Sequence, residues 1–342
     1  MFYVPLYEVN LNMKIEDLIK KKILVLDGAM GTMIQQYKFQ EKEYRGERFK
    51  DWKTDLKGNN DLLSITQPKV IQNIHLEYFE SGADIVETNT FNANRISMSD
   101  YGMQDLVKEL NSASVSVAKQ ARDEYWAKYG KKPLFIAGSL GPTSKTASIS
   151  PDVNDPAYRE VDFDFLAEIY KEQAISLIKS GADILLVETI FDTLNAKAAF
   201  FGIEEAFDET GKSLPLMASG TITDAAGRTL SGQTTEAFLI SLSHLPLLSI
   251  GLNCALGAEQ LLQYLEILAK KSIFYISAHP NAGLPNPLGG YDETPEMMAE
   301  KIKVYLENNL VNIIGGCCGT SPAHIKLFAE LAAQYPPRQI PN

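Results

Sequence analysis

The sequence predicts a (β/α)8 TIM barrel, and three observations carry that expectation. Eight short apolar runs recur along the 342 residues, with longer amphipathic stretches between them. The runs are apolar without strict alternation, as expected for parallel strands buried on both faces. Two units read as copies of each other: "ESGADIVETNTFNA" and "KSGADILLVETIFDTLNA". Each closes a helix at Ser-Gly, where glycine suits the left-handed cap, then enters a strand that ends on Glu-Thr. A doubly wound open sheet is the weaker alternative.

In chain order the predicted strands are "ILVLDG" from Ile23, "ADIVETNT" from Ala83, "PLFIAGSLG" from Pro133 and "ADILLVETI" from Ala182. They continue with "PLMASGTI" from Pro215, "LLSIGLNC" from Leu247, "FYISAHPNAG" from Phe274 and "VNIIGGCCG" from Val311. Stretches such as "PKVIQNIHLEYFESG", "VKELNSASVSVAKQARDEYWAKYG" and "AEQLLQYLEILAKK" supply the helices. Two connections, residues 32–67 and 142–165, are too long for simple turns; they either cover a site or decorate the surface. The barrel is expected over residues 14–334. Residues 1–13 precede it as an N-terminal extension, with Met13 a possible natural start. Residues 335–342, "YPPRQIPN", read as the start of a linker or a C-terminal tail.

A hydrophobic share of 45% suffices for a large core. A net charge of -11 without a basic cluster argues against nucleic acid or an anionic membrane as partner. The N-terminus lacks the apolar core and cleavage site of a signal peptide, and no run approaches the roughly 20 residues that span a bilayer. Three cysteines, odd in number and sparse, are no disulfide framework. A cytoplasmic protein is expected.

In such barrels the working groups stand at the C-terminal ends of the strands. That rule places Cys254, from the sixth strand, on one rim with Cys317 and Cys318 from the eighth. Neighbours within a regular strand point to opposite faces, so the pair can share an ion only where the strand breaks into a turn. Gly315, Gly316 and Gly319 permit that turn. Three thiolates favour zinc and leave its fourth position open, as catalytic sites do. The competing reading makes Cys254 a small core residue and the pair inert or occasionally disulfide-bonded.

Three thiolates give zinc a formal charge of -1, which is poorly suited to activating water. A substrate thiol in the open position would instead lose its proton and stay nucleophilic. A free thiol, with a pKa of about 8.5, is only a few per cent thiolate at neutral pH, so coordination gains roughly 2 kcal/mol. The pattern therefore favours alkyl transfer to a thiol.

The other strand ends offer the rest of a substrate site. The turn "LDGAMGT" presents Asp27, Gly28, Ala29, Met30 and Gly31, whose backbone N–H groups could face a carboxylate. It is not GxGxxG and no Walker lysine follows, so nucleotide binding is unsupported. Glu87 and Glu188 end the two copied strands; one could hold an ammonium group, or each could pair with a cation such as Arg95. Asn253 stands beside Cys254 as a substrate contact. The amide oxygen of Asn281 could fill the open zinc position when substrate is absent. His279 shares the rim as a ligand or polar contact, whereas His75, His244 and His324 read as structural. No Ser-His-Asp set stands out, and no lysine ends an apolar strand, which weakens a Schiff-base reading.

Together, "LDGAMGT", "GADIVETNTF", "VETIFDT", "GLNC", "HPNAGLPN" and "GGCCGT" closely resemble the homocysteine S-methyltransferase family, over about residues 14–334. Within it the likeness is greatest to the homocysteine-binding module of cobalamin-dependent methionine synthases. The resemblance implies zinc on Cys254, Cys317 and Cys318, with L-homocysteine sulfur in the open position and methionine as product. It also implies that the turn at residues 27–31 and Glu188 hold the amino-acid end. No D-x-H-x-x-G cobalamin pattern occurs, so methylcobalamin is expected in trans, from the folate- and cobalamin-binding modules of a partner polypeptide or missing module. Excised domain and split subunit both fit. The rival is a small donor such as S-methylmethionine or betaine. Readings of other classes are a non-catalytic binding barrel and a phosphate-binding barrel with "IGGCCGT" as the cradle.

Overall fold

A computed structural model describes residues 13–224, 226–286 and 290–341. Most of the expected N-terminal extension, residues 1–12, lies outside the described residues. Eight parallel strands form the barrel: β1 (Leu24–Val25), β2 (Ile85–Glu87), β3 (Phe135–Leu140), β4 (Ile184–Ile190), β5 (Leu216–Gly220), β6 (Leu247–Gly257), β7 (Tyr275–Asn281) and β8 (Ile313–Ile314). Each lies in one of the eight apolar runs, except that β6 continues three residues past its run, to Gly257. The main helices follow them in turn: α1 (Pro68–Glu80), α2 (Val107–Tyr129), α3 (Phe163–Ser180), α4 (Thr193–Thr210), α5 (Thr235–Leu242), α6 (Ala258–Lys271), α7 (Pro295–Glu307) and α8 (Pro322–Ala332).

The ladder runs from β1 through β8 and down to β2. A single parallel bridge, Leu26 to Ile85, joins β1 to β2 and closes the ring. Carboxylates supplement that short seam. Asp84 accepts from Val25 N at 3.0 Å and Lys22 Nζ at 2.8 Å, and Asp27 Oδ2 accepts from Glu87 N at 3.1 Å. The repeat explains part of this. Gly82 and Gly181 take positive φ values of 102° and 93°, ending α1 and α3, and the aspartate two residues later caps a neighbouring strand. Asp183 Oδ2 accepts from Ile136 N at 2.9 Å just as Asp84 accepts from Val25 N.

Alternation along the strands divides the core. Leu24, Leu26, Ile85, Ala137, Ile184, Leu186, Met217 and Ile313 fill the barrel, and Ile15 and Ile19 pack onto the same cluster. Val25, Val86, Ile136, Leu185, Ala218 and Ile314 face the helices. Carried to the C-terminal ends, the inward series turns polar at Glu87, Ser139, Glu188, Ser219, Asn253 and His279. Hydrophobic patterning thus builds the barrel and delivers its mouth to polar side chains.

The long connection after β1 is structured, with short helical segments at Glu41–Arg45, Asn60–Leu62 and Leu63–Thr66. The one before α3, residues 142–162, carries no helix or strand. Arg338, within the expected tail, is buried against the opposite face. Its guanidinium donates to the carbonyls of Ala269 in the last turn of α6 and of Ser272 and Phe274 beyond it, and its own carbonyl accepts from Asn312 Nδ2 at 2.7 Å. Among the described residues, no helix is long and apolar enough to cross a membrane.

Candidate metal and substrate site

Two local departures from regular strand bring the cysteines together. In β6 the register with β7 breaks between Asn253 and Gly257, and Cys254 and Ala255 take φ values of 59° and 55°. Side chains rarely adopt that left-handed region, and here it turns Cys254 toward the barrel mouth. After β8 the chain leaves the ladder as a turn. Gly316 N donates to Asp27 O at 3.0 Å, Cys317 N to Pro280 O at 2.9 Å, and Ala282 N to Cys318 O at 2.9 Å. Thr320 Oγ1 donates to Cys317 O at 2.6 Å and accepts from Ala29 N at 3.2 Å, tying the cysteine turn to the glycine turn after β1. Gly316 has no room for a side chain, because a Cβ would land on Thr320.

The three sulfurs lie within 4.8 Å of one another, with Cys254 Sγ and Cys318 Sγ 3.7 Å apart. A disulfide would need about 2.05 Å, so these are free thiols sharing a small space. Hydrogen bonds from Cys254 and Cys317 hold Cys318 well below the usual thiol range. Hydrogen bonds with Cys254 and Cys318, then burial, push Cys317 well above it. The trio unaided thus concentrates negative charge on one sulfur. A thiophilic dication would draw off the remaining protons, and this donor set fits one.

Beside the sulfurs lies a cluster of carboxyls. Glu188 is buried, hydrogen-bonded by Ser139 Oγ and by Glu87. Burial raises its pKa to about 7, and the charge on Cys318 pushes in the same direction. Glu87 is raised further by burial and by the charges of Glu188 and Asp27. Asp27 is also raised, chiefly by burial, and its Oδ1 is buried with no partner among the described residues. Arg95 does not answer these groups; it pairs with Glu172 at 2.7 Å and with Asp105.

Sulfurs and carboxyls open onto one cavity of about 570 Å³, within the range of small-molecule sites. Residues 28–31, of which Met30 and Gly31 open a short helix (Met30–Gln36), line it with Asp27, Glu188, Asn253, all three cysteines and His279 from β7. Asn281 is buried with Oδ1 unpartnered and is not among the lining residues. His279 is held neutral by burial, its pKa lowered to about 3, and its Nε2 has no partner among the described residues. Among the described residues, no lysine or arginine lines the cavity. Its far end is amide-rich: Asn60, Asp61, Asn89 and Asn92, with Asp61 accepting from Asn92 N at 2.9 Å.

Sequence reasoning missed Ser139, Thr189, Thr320 and Tyr291. Ser139 carried a usable signal, a polar residue at an inward position of an apolar strand. Tyr291 carried none; it reaches the site from the connection before α7 and packs on Gly319, whose φ is 83°. His324 is structural as expected, capping α8 with Ser321.

Fold and site together define a (β/α)8 barrel with a three-cysteine centre beside a carboxylate-lined cavity. The chain belongs to the homocysteine S-methyltransferase family, which it matches over residues 24–332. Its fold is similar to that of the homocysteine methyltransferase MmuM from Escherichia coli. The oxidized form of that protein aligns with a TM-score of 0.70 at 22% identity, covering 92% of this chain and 97% of that one. The metallated form aligns with a TM-score of 0.68 at 23% identity, covering 93% and 98%. Membership of the family supports methylation of homocysteine.

Proposed function

We propose that the chain methylates the thiol of L-homocysteine at a zinc ion held by Cys254, Cys317 and Cys318, giving methionine. The convergence of those three sulfurs within 4.8 Å, from β6 and the β8 turn, carries the reading. Zinc, when bound, supplies the acidity that keeps a substrate thiol deprotonated at neutral pH.

The chain's own residues then have distinct tasks. The buried carboxyls of Glu188 and Asp27 and the half-buried one of Glu87, with no cationic side chain among the described cavity lining, receive the substrate ammonium. That cation would favour their ionised forms and offset part of their desolvation. The turn at residues 28–31 lies beside Asp27 and Thr320, so an amino acid held there keeps its thiol end toward the cysteines. Placing a nucleophile at fixed distance and angle is itself a large part of catalysis.

For the donor we propose methylcobalamin, presented at the barrel mouth by the cobalamin-bearing module of a partner polypeptide or of a longer chain. A corrin is too bulky for the cavity, so the methyl group would be delivered at the rim. One observation favours a second reading. Among the described residues the cavity is lined by Asp27, Asp61, Glu87 and Glu188 and by no lysine or arginine, which also suits a small cationic donor, a sulfonium or quaternary ammonium compound.

The test is metal analysis and turnover on the same preparation. One zinc per chain, with methionine formed from L-homocysteine and methylcobalamin, supports the first reading. Turnover with S-methylmethionine or betaine and no corrinoid supports the second. Protein prepared reduced, offered zinc and still metal-free would overturn both.

A further inference from the structure

Between the carboxyl cluster and the cysteines stands one side chain whose bonds are fully accounted for. Asn253 Oδ1 accepts from Thr189 N at 3.0 Å and from Ser219 Oγ at 2.7 Å. Its Nδ2 donates to Thr189 Oγ1 at 2.9 Å and lies 4.0 Å from Cys317 Sγ. Asn253 therefore grips Thr189 at two points. Thr189 immediately follows Glu188 and has a φ of 54°. Cys254 immediately follows Asn253 and has a φ of 59°.

A non-glycine residue at positive φ is an uncommon and costly backbone state, on the order of 1–3 kcal/mol, that persists only where its surroundings enforce it. Two such states flank one amide here. The register between β4 and β5 also breaks between Val187 and Ile190, across the Glu188–Thr189 position. The side chain of Asn253 thus holds the irregularity that aims Glu188, and its own backbone leads directly into the one that aims Cys254. A side chain that only touched substrate would keep its amide free for it; here three bonds to protein occupy both ends.

We infer that Asn253 is a positioning residue that couples the amino-acid end of the cavity to the metal end. The inference rests on the zinc reading above. Filling either end fixes the Thr189–Asn253–Cys254 unit and lowers the ordering cost of filling the other, which is positive coupling. Such coupling is reciprocal: an amino acid that tightens metal binding is itself bound more tightly by the metal-loaded chain. Coupling energies of this kind commonly amount to 5- to 150-fold in affinity.

The experiment is a titration of the reduced, metal-free chain with Co²⁺ as a spectroscopic stand-in for zinc, with and without L-norvaline. Norvaline carries the amino-acid group of homocysteine and no thiol, so it brings the metal no sulfur ligand. Wild type is expected to bind Co²⁺ at least 5-fold more tightly when norvaline is saturating. Thr189→Val, which removes only the Oγ1 contact, is expected to halve that factor or more while thermal stability and the thiolate-to-cobalt absorption band persist. Asn253→Ala should abolish it. Equal Co²⁺ affinity with and without norvaline in wild type would overturn the coupling while leaving the metal site standing. An undiminished factor in Thr189→Val and Asn253→Ala would remove Asn253 from the explanation. Absence of the thiolate band in wild type would instead sink the zinc reading itself.

Discussion

Glu188 and Glu87 meet side chain to side chain inside the cavity, one carboxyl hydrogen-bonded to the other. Two buried carboxyls in that relationship share a proton, and the macroscopic titration belongs to the pair. Burial sets the direction, raising Glu188 from 4.5 to about 7. Between those values the folded chain keeps a proton that the unfolded chain has released. Ligand-free protein therefore loses stability from this group as pH rises through that window, by about 3 kcal/mol at most, with no further change above it. Melting the wild type and Glu188→Gln from pH 5 to 8 checks this: the gap should move in favour of the variant as pH rises.

Substrate binding should follow the opposite slope. An ammonium group is held by the ionised carboxyl, so the KM for homocysteine should climb as pH falls below about 7. In Glu188→Gln that limb should vanish. Its KM should rise roughly 10- to 100-fold at pH 8, the scale of one charged hydrogen bond, with metal content unchanged. Steady-state kinetics across pH, with metal analysis of each preparation, reads both.

Cys318 Sγ and Cys254 Sγ stand 3.7 Å apart. Cys318→Ser should reduce bound zinc from one per chain to a small fraction and abolish methyl transfer. Plasma emission spectroscopy after dialysis measures the first directly. Full zinc retention in that variant would mean that the ion sits elsewhere.

Gly316 is the sharpest test of backbone geometry. In Gly316→Ala the new Cβ would displace Thr320, whose Oγ1 joins Cys317 O to Ala29 N. Metal affinity should fall about 10- to 100-fold, as for loss of outer-shell support, while the melting temperature changes by a few degrees only. Competition with a chromogenic chelator gives the affinity.

Arg338 makes a stability prediction far from the chemistry. Arg338→Ala strands the carbonyls of Ala269, Ser272 and Phe274, which it reaches at 2.6, 2.9 and 3.1 Å. The cost should be about 2–4 kcal/mol, several degrees in melting temperature, with kcat unaltered. Arg338→Lys should restore little of it, since an ammonium cannot match the planar fork.

The barrel was legible because hydrophobic burial is written locally. Each of the eight apolar runs, from "ILVLDG" to "VNIIGGCCG", became a strand, and the strand-end rule then put Cys254 beside Cys317 and Cys318. The glycines around that pair announced the turn that β8 makes after Ile314. What stayed hidden was set by contacts distant in sequence. Nothing local tells that Thr189, Cys254 and Ala255 adopt positive φ, because none is glycine and the enforcing bonds come from other strands. Tyr291 packs onto Gly319 from a connection whose pattern marks no element. Arg338 sits in a proline-bearing stretch of linker-like composition, and only its buried carbonyl partners explain why it is fixed.

The seam between β1 and β2 has a consequence for how the molecule breathes. A hoop closed by one bridge and a few carboxylate stitches opens there first, and Asp27 and Glu87 stand on its two lips. An amino acid gripped by both would act as a clasp across the gap. Amide exchange at Val25, Asp27 and Glu87 should then slow on loading with homocysteine, while the continuous ladder of β4 to β7 scarcely changes. The weakest join of the scaffold and the grip on its cargo are, on this view, the same few atoms.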